Sequence, residues 1–244
     1  MRVAALYDVH GNLPALEAVL SDARCAAADV IVCGGDLVVG PYPAECLDLL
    51  EAQRERVRFL TGNCDREALE APEDGELGHA ARWSNERLGP ERVSSVSRWP
   101  PTVELDVPEL GRVLLCHATP ASDTPILTRI TPEDVVAREL DGVAAEVVVC
   151  GHTHVQYDRR VGSVRLVNAG SVGMPYEGSP DARWAILEDG NVELVATAYD
   201  ADAALERLGR AGFPLFERWL VEPLRGEIGA EEATASFESR RGDA

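Results

Sequence analysis

The 244-residue chain contains no lysine, and all 23 of its basic residues are arginine. Schiff-base chemistry and any phosphate loop that depends on a lysine are thereby excluded. Positive charge is scarce altogether: 42 Asp and Glu outweigh those 23 and leave a formal charge of −19. A surface of that sign cannot supply the counterion-releasing contacts that a phosphate backbone requires, so no binding of polymeric nucleic acid is expected. No apolar run approaches the ~18 residues of a membrane span. Only Met1 to Tyr7 precede Asp8, too short for a signal-peptide core, and no small-residue cleavage pattern is present. These absences predict a soluble, cytoplasmic protein without a membrane partner. None of the six cysteines (Cys25, Cys33, Cys46, Cys64, Cys116, Cys150) forms a CxxC pair. Cys33, Cys116 and Cys150 end apolar runs, where a reduced thiol acts as a small hydrophobe, so no disulfide framework is expected.

What is present reads as one domain. Hydrophobic residues make up 45% of the chain, ample for a core, and the length suits a single α/β unit. Short β-branched runs recur at Val3 to Tyr7, Val30 to Cys33, Val57 to Thr61, Val113 to Cys116, Val147 to Cys150 and Val164 to Val167. Their lack of polar alternation suits strands covered on both faces, as in a layered α/β fold with a parallel sheet. Helices are predicted after Asn12 (a candidate N-cap), after Pro43, after Thr131-Pro132 and over Asp202 to Arg210. Glu188-Asp189-Gly190-Asn191 marks a hairpin between Arg183 to Leu187 and Val192 to Ala196. Residues 66–110 interrupt the rhythm with a helical periodicity and read as an insertion, a candidate cap over the site that shapes substrate choice. The domain is placed at 1–221, and the polar, acidic stretch 222–244 is expected to be a poorly ordered tail.

Chemistry-bearing residues cluster where strands end. Asp8 and His10 follow the first strand, Gly34-Gly35-Asp36 the second, Gly62-Asn63-Cys64-Asp65 the third, His117 the fourth, and Gly151-His152-Thr153-His154 the fifth. In an open α/β sheet the carboxyl ends of neighbouring strands meet on one edge, so positions 8 to 154 can share one site. Imidazole, carboxylate and amide ligands suit divalent Mn, Fe, Zn, Ni or Co. If Asp36 bridges, the set divides into two ions, an arrangement built for in-line displacement at phosphorus.

As an ordered set, D-x-H, G-G-D, G-N-C-D, a lone strand-end His and G-H-T-H resemble the calcineurin-like metallophosphoesterase superfamily over roughly residues 3–173. The insertion and the stretch Asn168-Ala169-Gly170-Ser171-Val172-Gly173 look most like its bacterial and archaeal branch of predicted phosphodiesterases. The resemblance implies two facing mixed β-sheets flanked by helices in place of a simple parallel sheet. It also implies that Asp8, His10, Asp36 and His154 hold one metal and Asp36, Asn63, His117 and His152 the other. A metal-bridging hydroxide would attack the phosphorus of a small phosphate ester while Asn63 and His117 place it. Three positions depart from the pattern. Cys64 stands where many members carry a histidine that protonates the leaving oxygen, and a thiol is the weaker donor. Ala169 and Tyr176 stand where close members carry Pro and a phosphate-contacting Arg.

Phosphodiester hydrolysis is the expected activity. Phosphomonoester, phosphoprotein or dinucleoside-polyphosphate hydrolysis is the alternative, and a non-catalytic scaffold ranks behind both, because scaffold members lose ligands and this chain keeps a coordinating residue at every position. For the remaining residues plainer roles are expected: helix capping or orientation of a neighbour for Asp65, packing for Trp83 and Trp99, surface charge balance for Arg66 and Arg129. His79, in the insertion, is a secondary candidate for the general acid.

Overall fold

Strand β1 (Val3–Leu6) is buried along its whole length, which is why its sequence shows no polar alternation. The structure, a computed structural model, describes residues 1–70 and 75–241. After β1 come α1 (Leu13–Ser21), α2 (Ala23–Ala26), β2 (Val30–Cys33), α3 (Pro43–Glu51), β3 (Val57–Phe59), α4 (Asn63–Glu70) and α5 (Gly75–Val96). The second half runs β4 (Thr102–Val107), β5 (Gly111–Cys116), α6 (Glu133–Glu139), β6 (Val147–Cys150), β7 (Tyr157–Val161) and β8 (Val164–Asn168). A hairpin of β9 (Ala182–Glu188) and β10 (Asn191–Thr197), then α7 (Ala201–Gly209), a π turn over Glu217–Val221, α8 (Glu222–Leu224) and α9 (Ala230–Arg240) complete the chain. No described helix is long and apolar enough to cross a membrane.

The strands form two mixed five-stranded sheets, ordered β10-β9-β1-β2-β3 and β4-β5-β6-β8-β7. Within them β1, β2 and β3 run parallel, as do β5, β6 and β8, while β9, β10, β4 and β7 pair antiparallel. Alternation along β1 shows why two layers of cover are needed. Val3, Ala5 and Tyr7 face an inner core with Val113, Leu115, Val147, Val149 and Val167 of the second sheet, whereas Ala4 and Leu6 face the helical layer with Leu16, Val19 and Leu47. Each buried Val or Leu among them contributes roughly 1.5–3 kcal/mol of burial, so a polar residue in its place is costly. On the outer face of the second sheet, Val136 and Leu140 pack over Val148 and Leu166.

This two-sheet arrangement is the one the resemblance implied. Three local expectations change. The insertion is helical over α4 and α5, with a break at Gly89 (φ 74°), but Thr102–Val107 within the expected 66–110 segment is an edge strand; its residues 71–74 lie outside the described residues. β7 is a second strand that the β-branched runs did not reveal. The expected disordered tail is instead helical in α8 and α9, and residues 242–244 lie outside the described residues. The physical reason is a stripe at i, i+3, i+4 and i+7: of Ala230, Ala233, Thr234 and Phe237, the middle two are buried and Phe237 packs toward Tyr176.

Candidate metal centre

The parallel order of β1, β2 and β3 in one sheet and of β5 and β6 in the other brings five carboxyl-terminal strand ends to one edge of the sandwich. Asp8 and His10 leave β1, Asp36 leaves β2, Asn63 and Cys64 open α4 after β3, His117 leaves β5, and His152 and His154 leave β6. All seven predicted ligands meet there. Five of them hold left-handed backbone: Asp8 (φ 53°), His10 (45°), Asp36 (54°), His152 (68°) and His154 (56°). Among non-glycine residues such geometry costs on the order of 1–3 kcal/mol each and persists only where surrounding contacts impose it.

Those contacts are specific. Asp8 N–H donates to the Gly35 carbonyl (3.1 Å) and His10 N–H to the Asp36 carbonyl (2.9 Å), binding the β1 loop to the β2 loop. His152 N–H donates to Asp8 Oδ2 (2.9 Å), and Cys64 N–H to Asp36 Oδ1 (2.8 Å). Asp65 makes no hydrogen bond to a candidate ligand's side chain among the described residues. Its two oxygens accept from the N–H groups of Asp36 (2.7 Å), Leu37 (3.0 Å), Val38 (3.0 Å) and Gly62 (3.1 Å), so it fastens the Asp36 loop while capping α4. Two glycines are dictated by close approach: a Cβ at Gly62 would strike Asp36 Oδ1, and one at Gly151 would strike Asp8 Oδ2. The stretch from Asn168 supplies the last ties. Ser171 Oγ donates to the Asp8 carbonyl (2.7 Å), and Asn168 Nδ2 donates to Thr153 Oγ1 (3.1 Å).

The side-chain geometry is that of a cation site. His117 Nδ1 faces the Gly34 carbonyl (3.0 Å), His152 Nε2 the Thr124 carbonyl (3.1 Å) and His154 Nδ1 the Met174 carbonyl (2.8 Å). A carbonyl only accepts, so each of these nitrogens carries the proton, and in a neutral ring the other nitrogen presents a lone pair. Those lone pairs converge on carboxylates: His154 Nε2 is 3.4 Å from Asp8 Oδ1, and His117 Nε2 is 3.5 Å from Asp36 Oδ2 and 3.8 Å from Asp8 Oδ1. His10 Nε2 lies 3.3 Å from His154 Nε2 and 3.8 Å from Asp36 Oδ2. Asn63 Oδ1 sits 3.1 Å from His117 Nε2 and 3.0 Å from His152 Nδ1. Asp8 Oδ1 is buried and receives no hydrogen bond from the described residues. Acceptors facing acceptors fit a metal, and the mixed N and O donors fit a divalent ion of the first transition row.

Charge follows the same logic. Burial pushes His10 and His152 down to about 4, keeping both rings neutral. Burial opposes a charged His117 as well, but the Asp36 carboxylate, with help from Asp8, raises it to about 10. A proton on His117 therefore stands in for a cation in the metal-free protein. Burial opposes ionisation of Asp8 and Asp36 too, yet His154 holds Asp8 below its ordinary value and His117 does the same for Asp36. Burial and the Asp36 charge lift Asp65 to about 7 against the pull of its N–H donors. Burial, then Asp36, pushes the Cys64 thiol well above its ordinary value.

An open cleft of about 380 Å³ gives access to His10, Asp36, Asn63, Cys64, His152 and His154. Its opposite wall comes from the C-terminal segment, through Arg218, Trp219, Phe237 and Arg240, and not from α5. Among the described residues the insertion does not line this cleft; of its residues, Arg66 and Pro101 line a neighbouring cleft beside His117. His79 is exposed on α5 and lines neither. Trp83 packs edge-on to Phe213 and Trp99 stacks on Phe59 (4.8 Å), so both serve packing. Arg66 is held by Asp123 (2.7 and 3.1 Å), and Arg129 is exposed. The C-terminal wall escaped sequence reasoning because its one usable signal, the four-residue stripe on α9, is spaced among glutamates.

The family model of the calcineurin-like phosphoesterase superfamily domain matches residues 1–190. Protein MJ0912 of Methanocaldococcus jannaschii is 27% identical over 248 residues, covering 91% of this chain and 96% of that protein. Phosphodiesterase YfcE of Escherichia coli is 26% identical over 208 residues, covering 80% of this chain and 92% of its own length. The crystal structure of a metallophosphoesterase from Sphaerobacter thermophilus, 26% identical, aligns with a TM-score of 0.73 over 94% of this chain and 100% of that one. Because the matched span runs from β1 to the end of β9 and takes in every strand-end ligand, the chain belongs to the calcineurin-like phosphoesterase superfamily.

Proposed function

We propose that the protein is a metal-dependent phosphodiesterase whose site takes two divalent ions of the Mn, Fe, Zn, Ni or Co class. One observation carries this reading: ring nitrogens whose protons are turned outward onto backbone carbonyls present their lone pairs to the Asp8 and Asp36 carboxylates. Carboxylates and ring lone pairs crowded this closely need positive charge between them, a proton on His117 in the metal-free protein and cations on this reading. On this reading Asp8, His10 and His154 hold one ion and Asn63, His117 and His152 the other. Asp36, 3.8 Å from His10 and 3.5 Å from His117, serves both. Bound there, the ions supply Lewis acidity that acidifies water near neutral pH and neutralises the oxygens of a phosphate ester.

The chain's own residues orient the reaction. Of the candidate ligands only Asn63 and His152 are half-buried, the other five being buried, so on this reading the ester enters on the Asn63 and His152 side. Cys64 lines the same cleft as a neutral thiol within 3.6 Å of Asn63 Nδ2, and on this reading gives its proton to the leaving oxygen. Diester over monoester specificity is supported by the 26% identity to a relative named as a phosphodiesterase. The test begins with chelator-treated protein reloaded with each metal and screened on diesters, monoesters and cyclic nucleotides. Elemental analysis is expected to approach two ions per chain, with the highest kcat/KM on diesters. Asp36→Asn should empty both positions together and lower turnover by more than about 100-fold, above the 10–100-fold that outer orienting partners command. Retention of both ions and full turnover in that variant would overturn the bridging assignment.

A further inference from the structure

The C-terminal wall of the cleft holds a cation that the proposed reaction leaves unused. Two arginines line the cleft with the candidate ligands, Arg218 and Arg240. Arg218 is neutralised by an ion pair with Glu76 on α5. Arg240 has no carboxylate partner among the described residues. Its Nε donates to the Ser236 carbonyl (3.2 Å), its guanidinium carbon lies 4.8 Å from the centroid of the Phe237 ring, and its two Nη groups have no protein acceptor among the described residues. An arginine fixed at its stem with a free Nη edge is shaped to take two oxygens of one phosphate.

The helix that carries it is anchored relative to the ligands. Glu238 accepts from Thr128 Oγ1 (2.6 Å) and from Thr131 Oγ1, tying α9 to the loop before α6. Phe237 lies 6.2 Å from Tyr176, and Tyr176 stacks on the His154 ring at 4.8 Å and 21°. A chain of ring contacts thus runs from the Arg240 guanidinium to a candidate metal ligand. In a chain of net charge −19, an anionic substrate is repelled at long range, so a guanidinium that is unpaired among the described residues and beside the candidate ligands is placed to set where the anion settles.

We infer that Arg240 is a substrate-binding residue: it holds a phosphate-type anion across the cleft from the ligand cluster and makes α9 part of the substrate site. The inference rests on the phosphoesterase reading, and two sources of the anion share this chemistry, the reacting phosphate and a second phosphate further along the substrate. The experiment compares full-length native protein, Arg240→Ala and Arg240→Lys, all loaded with Mn. Binding of inorganic phosphate is measured by calorimetry, and kinetics with a simple aryl diester and with an ester carrying a second phosphate. Arg240→Ala should weaken phosphate at least about tenfold and raise KM more than it lowers kcat, as loss of a charge-assisted hydrogen bond implies, with partial recovery in Arg240→Lys. A KM increase on both esters assigns the guanidinium to the reacting phosphate, and an increase confined to the second ester assigns it to the neighbouring one. Unchanged phosphate affinity and unchanged KM on both overturn the inference. A native protein that turns over no ester overturns the phosphoesterase reading instead, and the phosphate titration then decides Arg240 by itself.

Discussion

The two walls of the cleft are built by opposite means. On the strand-end wall most candidate ligands are held through the backbone: left-handed residues, cross-loop N–H bonds, the Asp65 carboxylate under four amides, and glycines where a Cβ would meet Asp8 or Asp36. On the C-terminal wall the ties are made by side chains, Glu238 to two threonines and Phe237 toward Tyr176. Backbone ties of the first kind hold positions tightly, as the proposed metal ligation and in-line geometry require. The second tolerates change, as substrate preference requires.

If the strand-end wall is wired as a cation site, its largest response should be to pH. In the metal-free fold His117 titrates at about 10, above its ordinary 6.5, so the folded chain keeps a proton that the unfolded chain releases. That stabilisation is complete below 6.5 and is lost as pH rises through 10, so the Tm of chelated protein should fall over that window. His10 and His152, depressed to about 4, act oppositely: their contribution is complete above 6.5 and is lost as pH falls through 4. Metal competes with the His117 proton, so affinity should climb about tenfold per pH unit between roughly 7 and 10. Thermal scans and metal titrations across this range check both, and a flat response would dissolve the contrast between the walls.

A smaller effect should follow from loosening the backbone wiring without touching a ligand. Asp65→Asn leaves one oxygen where two accept four N–H groups, so the Asp36 loop loses half its anchorage. Metal affinity by calorimetry should drop about 10–100-fold, the range for outer orienting partners. Affinity within twofold of native in a folded variant would mean that the loop holds itself. The mildest change belongs to Cys64. Cys64→Ala should slow alkyl diesters, which need a protonated leaving group, by less than the roughly 10² to 10⁴ of a strong acid, and leave nitrophenyl esters nearly unaffected. Equal leaving-group slopes for native and variant would remove the thiol from the reaction.

The same contrast explains which parts were legible in the sequence. β1, β2 and β6 stood out as β-branched runs because both faces are buried. β4 and β7 lie at the two edges of the second sheet, where Glu104, Asp106, Asp158 and Arg160 meet water, and such strands blur into polar loops. The seven candidate ligands stood out because Asp, Asn and His at successive strand ends are chemically rare, and the fold brings them to one edge. Asp65 was expected to cap its helix or orient a neighbour, but that the neighbour is the Asp36 loop depends on a contact across 29 positions, which no local pattern encodes. Arg240 and Phe237 were hidden for a related reason: their role comes from where α9 docks, and docking is decided by Thr128 and Thr131, more than 100 positions away.

The ligands also lie on the seam of the sandwich. Asp8, His10, Asp36 and Asn63 belong to loops of the first sheet, His117, His152 and His154 to loops of the second. An ion gripped from both sides is a rivet between the sheets, so its binding free energy becomes cohesion between two layers that are otherwise joined at this edge by hydrogen bonds such as His152 to Asp8. On the proposed reading, catalytic competence and mechanical integrity of the sandwich mouth are then a single property, set by the metal concentration around the protein.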